Sequence, residues 1–193
     1  MAFSQRWPGV LEASLKTSGF EVRIIEDCLN GRRTVWEDPF KPGRNGLVGL
    51  GERIEVNSPL TLVILMLGTN DFQSMHNHNA WHSAQGILAL VSAIRHALIE
   101  PGMPIPQILV VAPPAIRTPL GPIANKFAGG EVKCIGLADA YHQVCLELDC
   151  AFLDAGMVTH SSTVDGVHLD ADQHVKLGLA ISQVVVKILA NSA

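Results

Sequence analysis

Short apolar segments alternate along the chain with longer segments of helical periodicity. Four apolar runs are rich in branched side chains and are each followed by polar or turn-forming residues: 22–25, 60–67, 108–112 and 151–153. Runs of this length and composition predict buried β-strands. Strands that are apolar on both faces are typical of a parallel sheet covered by helices on both sides.

Four segments carry apolar residues at helical spacing: 8–16, 85–99, 131–148 and 171–189. Pro8 suits the first position of the first helix, and Asp170 suits the N-cap of the last. In the last segment Leu177, Ile181 and Val185 fall on one face, which predicts burial against the sheet. No repeat, low-complexity tract or long linker interrupts this alternation, so we expect one α/β domain over residues 1–193.

Three polar loops follow predicted strands or precede the last helix: 26–34, 67–71 and 164–169. Open parallel sheets bind ligands in the loops at the carboxyl ends of their strands. We therefore expect the functional residues in these loops, at one edge of the sheet.

Each loop contains a group with a catalytic use. Gly31 can bring a bare backbone N–H close to a ligand. Asn70 offers a side-chain N–H that needs no protonation, which suits negative charge developing on an oxyanion. Asp165 can accept from one ring nitrogen of His168 and leave the other nitrogen as a general base. Taken singly, each has an ordinary alternative: a turn glycine, a strand-end turn, or a capping aspartate beside an incidental histidine.

The composition argues against several classes of function. A net charge of −4 and a pI near 6.0, with dispersed basic residues, disfavour nucleic-acid binding. The longest apolar run, 60–67, is too short to span a membrane, and no secretory signal core opens the chain. The four cysteines lack CxxC or metal-finger spacing, so we expect a cytoplasmic protein with reduced thiols; a Cys145–Cys150 disulfide is the less favoured alternative.

The order of the three loops resembles the SGNH (GDSL-like) hydrolase family. That order is Gly31, then Gly68-Thr69-Asn70-Asp71, then Asp165-Gly166-Val167-His168 before the terminal helix. Flanking segments are similar to the arylesterase/acyltransferase branch of the family: Arg6-Trp7, Asn45-Gly46-Leu47, 109–114 and 127–131. The resemblance covers nearly the whole chain.

This resemblance implies a flavodoxin-like three-layer α/β/α sandwich that hydrolyses short-chain acyl or aryl esters through a Ser-His-Asp triad. Water or an alcohol would accept the acyl group. His168 matches the general base, Asp165 the residue that orients it, and Gly31 and Asn70 two donors of the oxyanion hole. The family implies a small-molecule ester substrate, no metal or organic cofactor, and a homo-oligomer.

The nucleophile of the triad has no counterpart in this chain. The family places its serine in a Gly-Asp-Ser-Leu-like motif after the first strand, and no serine here follows a glycine by two positions. Three interpretations stay open: a truncated start of a longer enzyme, which we favour; an inactive member that acts as a binding or interaction protein; and a substitute nucleophile. Candidates for the third are Ser4, Ser161 and Ser162. The resemblance implies that the first strand of the fold is missing together with this serine.

Histidines and tryptophans between the loops offer two further candidates. His76, His78 and His82 lie close in sequence, but no carboxylate or cysteine completes a convincing ligand set, so we expect a polar rim and no metal site. Trp36 and Trp81 suit either an acyl or alcohol pocket or the core.

Overall fold

A computed structural model describes residues 1–190 of the chain. Its sheet has three parallel strands in the order β1-β2-β3: Leu62–Leu65, Gln107–Ala112 and Ala151–Asp154. β2 is the central strand, because Leu65 pairs with Val110 on one side and Ala112 pairs with Asp154 on the other. The carboxyl ends of the three strands therefore face the same edge, as the alternation of strands and helices predicts.

Within residues 1–190, six α-helices surround the sheet: α1 Trp7–Thr17, α2 Leu50–Asn57, α3 Ala80–Arg95, α4 Gly130–Lys133, α5 Leu137–Glu147 and α6 Ala171–Ala190. Short 3-10 turns lie at Phe3–Gln5, Thr69–Phe72, Gly121–Ile123, Asn125–Phe127 and Ala155–Met157. The predicted helices at 8–16 and 171–189 are confirmed to within one residue at each end.

Alternate side chains of β2 divide the core into two layers. Leu109 and Val111 pack with α1 and α6 in one cluster, whereas Ile108 and Val110 pack with α3 and α5 in another. Both clusters are buried, so β2 is apolar on both faces, as a covered parallel strand must be. The result is the predicted three-layer α/β/α arrangement.

The prediction of a strand at 22–25 is wrong. This segment is extended, and Val22 and Ile24 pack against the cluster formed by α1 and α6. The Ile24 N–H donates to the Glu12 carboxylate at 2.8 Å, and no other strand within residues 1–190 pairs with the segment. The apolar alternation of the segment therefore does correspond to partial burial of Val22 and Ile24. A β-strand also needs a hydrogen-bonded partner strand, which a local pattern does not reveal.

Two predicted helix boundaries are also wrong. The helix expected at 85–99 begins earlier, because Asn79 caps it by accepting the His82 N–H at 3.2 Å, and it ends at Arg95. The helix expected at 131–148 is two helices, separated at Gly136, whose φ of +80° lies in the left-handed region. A left-handed glycine is a common helix boundary, and it ends the hydrogen-bond ladder at this point.

Helix α6 follows directly on the loop that contains His168. The Asp170 carbonyl accepts the His174 N–H at 3.0 Å, and the Gln173 side chain accepts the Asp170 N–H at 2.6 Å, which places Asp170 at the predicted N-cap position. By length and composition alone α6 could cross a membrane, but core helices of soluble proteins pass the same test. In this fold Leu177, Ile181 and Val185 are buried against the sheet.

Candidate active site

The Asp165–His168 pair forms as the sequence predicts. Nδ1 of His168 lies 2.7 Å from Oδ2 of Asp165, while Oδ1 accepts the backbone N–H groups of Val167 and His168 at 2.8 and 2.9 Å. Burial acts to raise the pKa of Asp165, but the hydrogen bonds from His168 and Val167 outweigh it and leave that pKa below its ordinary value. An ionised Asp165 favours the tautomer with the proton on Nδ1, so Nε2 carries the lone pair.

The loop around this pair is fixed to the segment that follows β2. The Arg117 N–H donates to the Gly166 carbonyl at 2.8 Å, and the Leu120 N–H donates to the Asp165 carbonyl at 3.0 Å. Gly166 has a φ of +79°, and a Cβ there would collide with the Thr118 carbonyl. Glycine is thus required at this position both by conformation and by space.

The His168 ring is open to solvent on its other side. Its side chain is 59% exposed, against 26% for Asp165. No hydrogen bond within residues 1–190 occupies Nε2, so this nitrogen can reach a proton on an incoming group.

The other pair of predicted site residues, Gly31 and Asn70, lies on two loops that touch each other. Asn70 is in the 3-10 turn Thr69–Phe72 that follows β1, and its Nδ2 donates to the Arg32 carbonyl at 3.2 Å. Gly31 precedes Arg32 directly and has a φ of +83°, which favours glycine. No backbone hydrogen bond within the described chain uses the Gly31 N–H, which leaves it as a donor.

A buried polar network fixes the Asn70 turn through Asp71. Asp71 is fully buried; its oxygens accept the Thr34 N–H and hydroxyl and the Ser83 hydroxyl at 2.9, 2.7 and 2.7 Å. The Ser83 hydroxyl also lies 2.7 Å from the Tyr141 hydroxyl. Burial raises the pKa of Asp71 despite these hydrogen bonds. This network joins the 26–34 loop to the turn Thr69–Phe72, to α3 and to α5, and so keeps Gly31 near Asn70.

Several buried polar residues at this site were not predicted from the sequence, among them Arg33, Asp38 and Gln73. Each is at most 4% exposed, which is uncommon for glutamine and rare for the charged Arg33 and Asp38. Arg33 and Gln73 lie in polar loops whose composition is typical of surface residues, so no local pattern marks them as buried.

The two pairs of site residues are linked through the segment after β2. A Cβ at Gly130 would touch both the Phe72 carbonyl, at the end of the Asn70 turn, and Ile116. Ile116 precedes Arg117, which holds the Gly166 carbonyl. The structure therefore brings Asp165 to His168 and Asn70 to the Gly31 loop, with the segment around Ile116 and Arg117 between the two pairs; that all four serve one acyl carbon stays a prediction.

The serines near His168 are occupied by other contacts. The Ser161 hydroxyl donates to the Ala115 carbonyl at 2.7 Å, and the Ser162 hydroxyl donates to Asp170 at 2.8 Å. Both residues are 1% exposed. Ser4 lies in the exposed turn Phe3–Gln5. These contacts argue against Ser161 and Ser162 as substitute nucleophiles, because a nucleophile must hydrogen-bond to its base.

The three clustered histidines form an aromatic stack with Trp36. Ring centroids are 4.0 Å apart for Trp36 and His78, and 4.8 Å apart for His76 and His78. Burial, followed by the neighbouring His76 and His82, lowers the pKa of His78 to about 4. Within residues 1–190 no group of three or more His, Cys, Asp or Glu residues has the arrangement of a metal site. Trp81 is 61% exposed and so is not a core residue.

Solved esterase structures are similar to this fold over nearly its whole length. Est24, a carbohydrate acetylesterase from Sinorhizobium meliloti, has 32% identity and a TM-score of 0.91, with 97% of this chain and 87% of that chain covered. The native aryl esterase of M. smegmatis has 34% identity, the same coverage and a TM-score of 0.91. A carbohydrate acetylesterase family member from S. meliloti has 34% identity and a TM-score of 0.92, with 98% of this chain and 89% of that chain covered.

No curated protein matches the chain. The GDSL-like lipase/acylhydrolase family matches residues 2–178, a range that contains Gly31, Asn70, Asp165 and His168. The chain therefore belongs to the GDSL-like lipase/acylhydrolase family.

Proposed function

We propose that the protein is a carboxylic ester hydrolase that acts on short-chain acyl or aryl esters. His168 is the general base, Asp165 orients it, and Gly31 and Asn70 donate hydrogen bonds to the oxyanion. The observation that carries this proposal is the 2.7 Å contact between Asp165 and His168, with Nε2 left open on an exposed ring. Family membership supports the reaction class.

The chemistry follows from the two donor groups and the base. His168 removes the proton of a serine hydroxyl as the oxygen attacks the ester carbonyl, and Asp165 stabilises the imidazolium that forms. The carbonyl oxygen becomes an oxyanion, which the Gly31 N–H and the Asn70 side chain would stabilise. Return of the proton releases the alcohol, and water or a second alcohol then takes the acyl group from the serine.

The nucleophile is the part of this mechanism for which the chain lacks the motif that the family uses. No serine among the 193 residues follows a glycine by two positions. Ser161 and Ser162 are buried and already hydrogen-bonded. These two facts favour a second candidate function, in which the chain alone binds an ester or a partner without turning it over.

The similar structures support a narrower substrate class. Two of them are carbohydrate acetylesterases or members of that family, and a third is an aryl esterase. We take acetyl esters of sugars and of phenols as the first substrates to test. Acyl transfer to alcohols and homo-oligomer formation are further parts of the proposal. A cytoplasmic location is another, which four free cysteines support.

Hydrolysis of para-nitrophenyl acetate tests the proposal in two forms of the protein. One form is the 193-residue chain; the other carries an added strand with Gly-Asp-Ser-Leu before Met1. We expect turnover in the extended form, lost in its His168→Ala variant and in a variant whose added serine is alanine. Turnover that survives His168→Ala in both forms would refute the role of His168 as general base. Saturable ester binding without turnover in either form would establish the binding protein instead.

A further inference from the structure

Arg33 is a fully buried cation beneath the Asn70 turn. Its side chain is 0% exposed, and its Nη1 lies 3.2 Å from Oδ2 of Asp38, which is 4% exposed. Nη2 donates to Gln73 Oε1 at 2.6 Å, and Nε donates to the Asn70 carbonyl at 3.2 Å. A buried charge is costly unless it is paired and hydrogen-bonded; this one is paired with Asp38 and hydrogen-bonded through Nη2 and Nε. Arg33 is therefore held in one place relative to Gln73.

Gln73 transmits this orientation to Asn70. Its Nε2 donates to Asn70 Oδ1 at 2.9 Å, and the residue is fully buried. A guanidinium has donors and no acceptor, so the oxygen of the Gln73 amide must face Arg33. The Gln73 amide nitrogen must then face Asn70, and the Asn70 oxygen must face Gln73.

The hydrogen bonds from Arg33 to Gln73 and from Gln73 to Asn70 form a relay. Its direction determines which side-chain atom Asn70 presents to the 26–34 loop. With Oδ1 held by Gln73, the Asn70 Nδ2 lies on the opposite side, where it donates to the Arg32 carbonyl at 3.2 Å. A primary amide nitrogen has two hydrogens, so one remains for a ligand. Rotation of the amide by 180° would place its oxygen against the Arg32 carbonyl and its nitrogen against Gln73 Nε2, which are two repulsive contacts.

We infer that Gln73, oriented by Arg33, is a positioning residue that keeps the Asn70 N–H directed at the oxyanion site. This inference rests on the proposed role of Asn70. In this role the buried Arg33–Gln73 pair determines that the Asn70 amide presents its N–H, and not its oxygen, to the oxyanion site. A network that only stabilised the fold would not depend on that direction.

Substitution Gln73→Glu tests the direction of the relay with almost no change of shape. The introduced carboxylate still accepts from Arg33, but it cannot donate to Asn70 Oδ1. The charge-assisted bond to the carboxylate should outweigh the repulsion between the rotated Asn70 oxygen and the Arg32 carbonyl. The Asn70 amide should therefore rotate, donate from Nδ2 to the carboxylate and turn its oxygen toward the oxyanion site. Nitrogen-15 NMR of the 193-residue chain should show a downfield shift of an Asn70 Nδ2 proton, because hydrogen bonds to a carboxylate are charge-assisted.

Gln173→Glu is the matched control, because Gln173 is also a buried glutamine, at 3% exposure, with hydrogen bonds to Asp170 and His160. It should leave the Asn70 side-chain resonances in place. If Gln73→Glu does not fold, Gln73→Met removes the same donor without adding charge, and it should speed solvent exchange of the Asn70 Nδ2 protons. Asn70 resonances and exchange that are unchanged in the Gln73 variants would overturn the inference.

Kinetics in the extended form separate positioning from general stability. Gln73→Glu should lower kcat by about 10²- to 10³-fold, the loss expected for removal of an oxyanion donor, with little change in KM. Gln73→Met should lower it less, because the amide is then free and not reversed. A larger loss in Gln73→Met would contradict the relay. If the NMR shift occurs but no form hydrolyses esters, the proposed function fails while the orientation of Asn70 by Gln73 stands.

Discussion

Asp165 binds His168 at two points: its Oδ2 lies 2.7 Å from the ring Nδ1, and its Oδ1 accepts the His168 backbone N–H at 2.9 Å. One carboxylate thus fixes both the ring and the backbone to which the ring is attached. The geometry is local, because the two residues are three positions apart. The orientation of the base is therefore a property of this loop and not of distant packing.

Replacement of Asp165 by asparagine should abolish most of the activity of whichever form of the protein turns over. Asparagine can present its N–H to Nδ1 and so favour the wrong imidazole tautomer, which we expect to lower kcat by about 10⁴-fold. Asp172→Asn, on the exposed first turn of α6, is the matched control. An equal loss in both variants would contradict the pairing role of Asp165.

Removal of the Asn70 amide should slow the reaction without unfolding the protein. For Asn70→Ala we expect a loss of about 10²- to 10³-fold in kcat, since one oxyanion donor disappears. The control is Asn57→Ala, which removes an amide that donates to the Arg53 carbonyl at the end of α2. Steady-state kinetics in which Asn70→Ala changes KM alone would show that Asn70 binds the substrate and does not stabilise the transition state.

Alanine at Gly166 should destabilise the fold more than alanine at Gly43. Both glycines have a φ of +79°, but a Cβ at Gly166 meets the Thr118 carbonyl and one at Gly43 meets nothing within 4 Å. Gly43→Ala should cost about 1 kcal/mol, from the left-handed backbone alone. Denaturant unfolding measures the difference, which is the cost of the collision. Equal losses would mean that the loop moves away from the 115–120 segment without penalty.

Loss of the Asp38 carboxylate should destabilise the protein in a pH-dependent way. Burial acts to raise the pKa of Asp38, but the Phe40 N–H and Arg33 outweigh it and hold that pKa below its ordinary value. Its contribution to stability is therefore complete above the unfolded pKa of about 3.9 and is lost as the pH falls through the lower folded pKa. Asp38→Asn leaves the Arg33 charge unpaired and should cost about 3 kcal/mol at neutral pH.

Thermal unfolding measured between pH 7 and pH 2 reports the pH dependence of the stability that Asp38 contributes. The difference in Tm between the original protein and Asp38→Asn should be largest above pH 5 and should shrink at the acidic end, where Asp38 itself is protonated. Asp139→Asn, on the first turn of α5, controls for a general change of charge. A difference that grows toward low pH would have the wrong sign for this account.

The sequence predicts those features whose cause is local. Leu177, Ile181 and Val185 repeat at helical spacing and form the buried face of α6. The Asp165–His168 contact spans three residues, so the motif itself predicts it. Glycines 31 and 68 follow apolar runs, and both have the positive φ that a sharp turn requires.

Features that depend on distant partners could not be predicted in the same way. The 22–25 segment has the apolar pattern of a strand and still has no strand beside it within residues 1–190. Arg33 is buried only because Asp38, Gln73 and the Asn70 carbonyl surround it, and the contacts with Gln73 and Asn70 cross between separate loops. The residues next to Gln73 in the sequence do not indicate these contacts, so its buried position could not be predicted.

A crystal structure of the extended form after reaction with diethyl para-nitrophenyl phosphate tests most directly whether the two pairs of residues serve one reacting centre. In the adduct the phosphorus is bonded to the oxygen of the added serine, and its phosphoryl oxygen stands in for the oxyanion. The account predicts that this oxygen lies within about 3.1 Å of both the Asn70 Nδ2 and the Gly31 backbone nitrogen, with His168 Nε2 beside the serine oxygen. A phosphoryl oxygen directed away from Asn70, or a His168 ring that faces a separate surface, would contradict it.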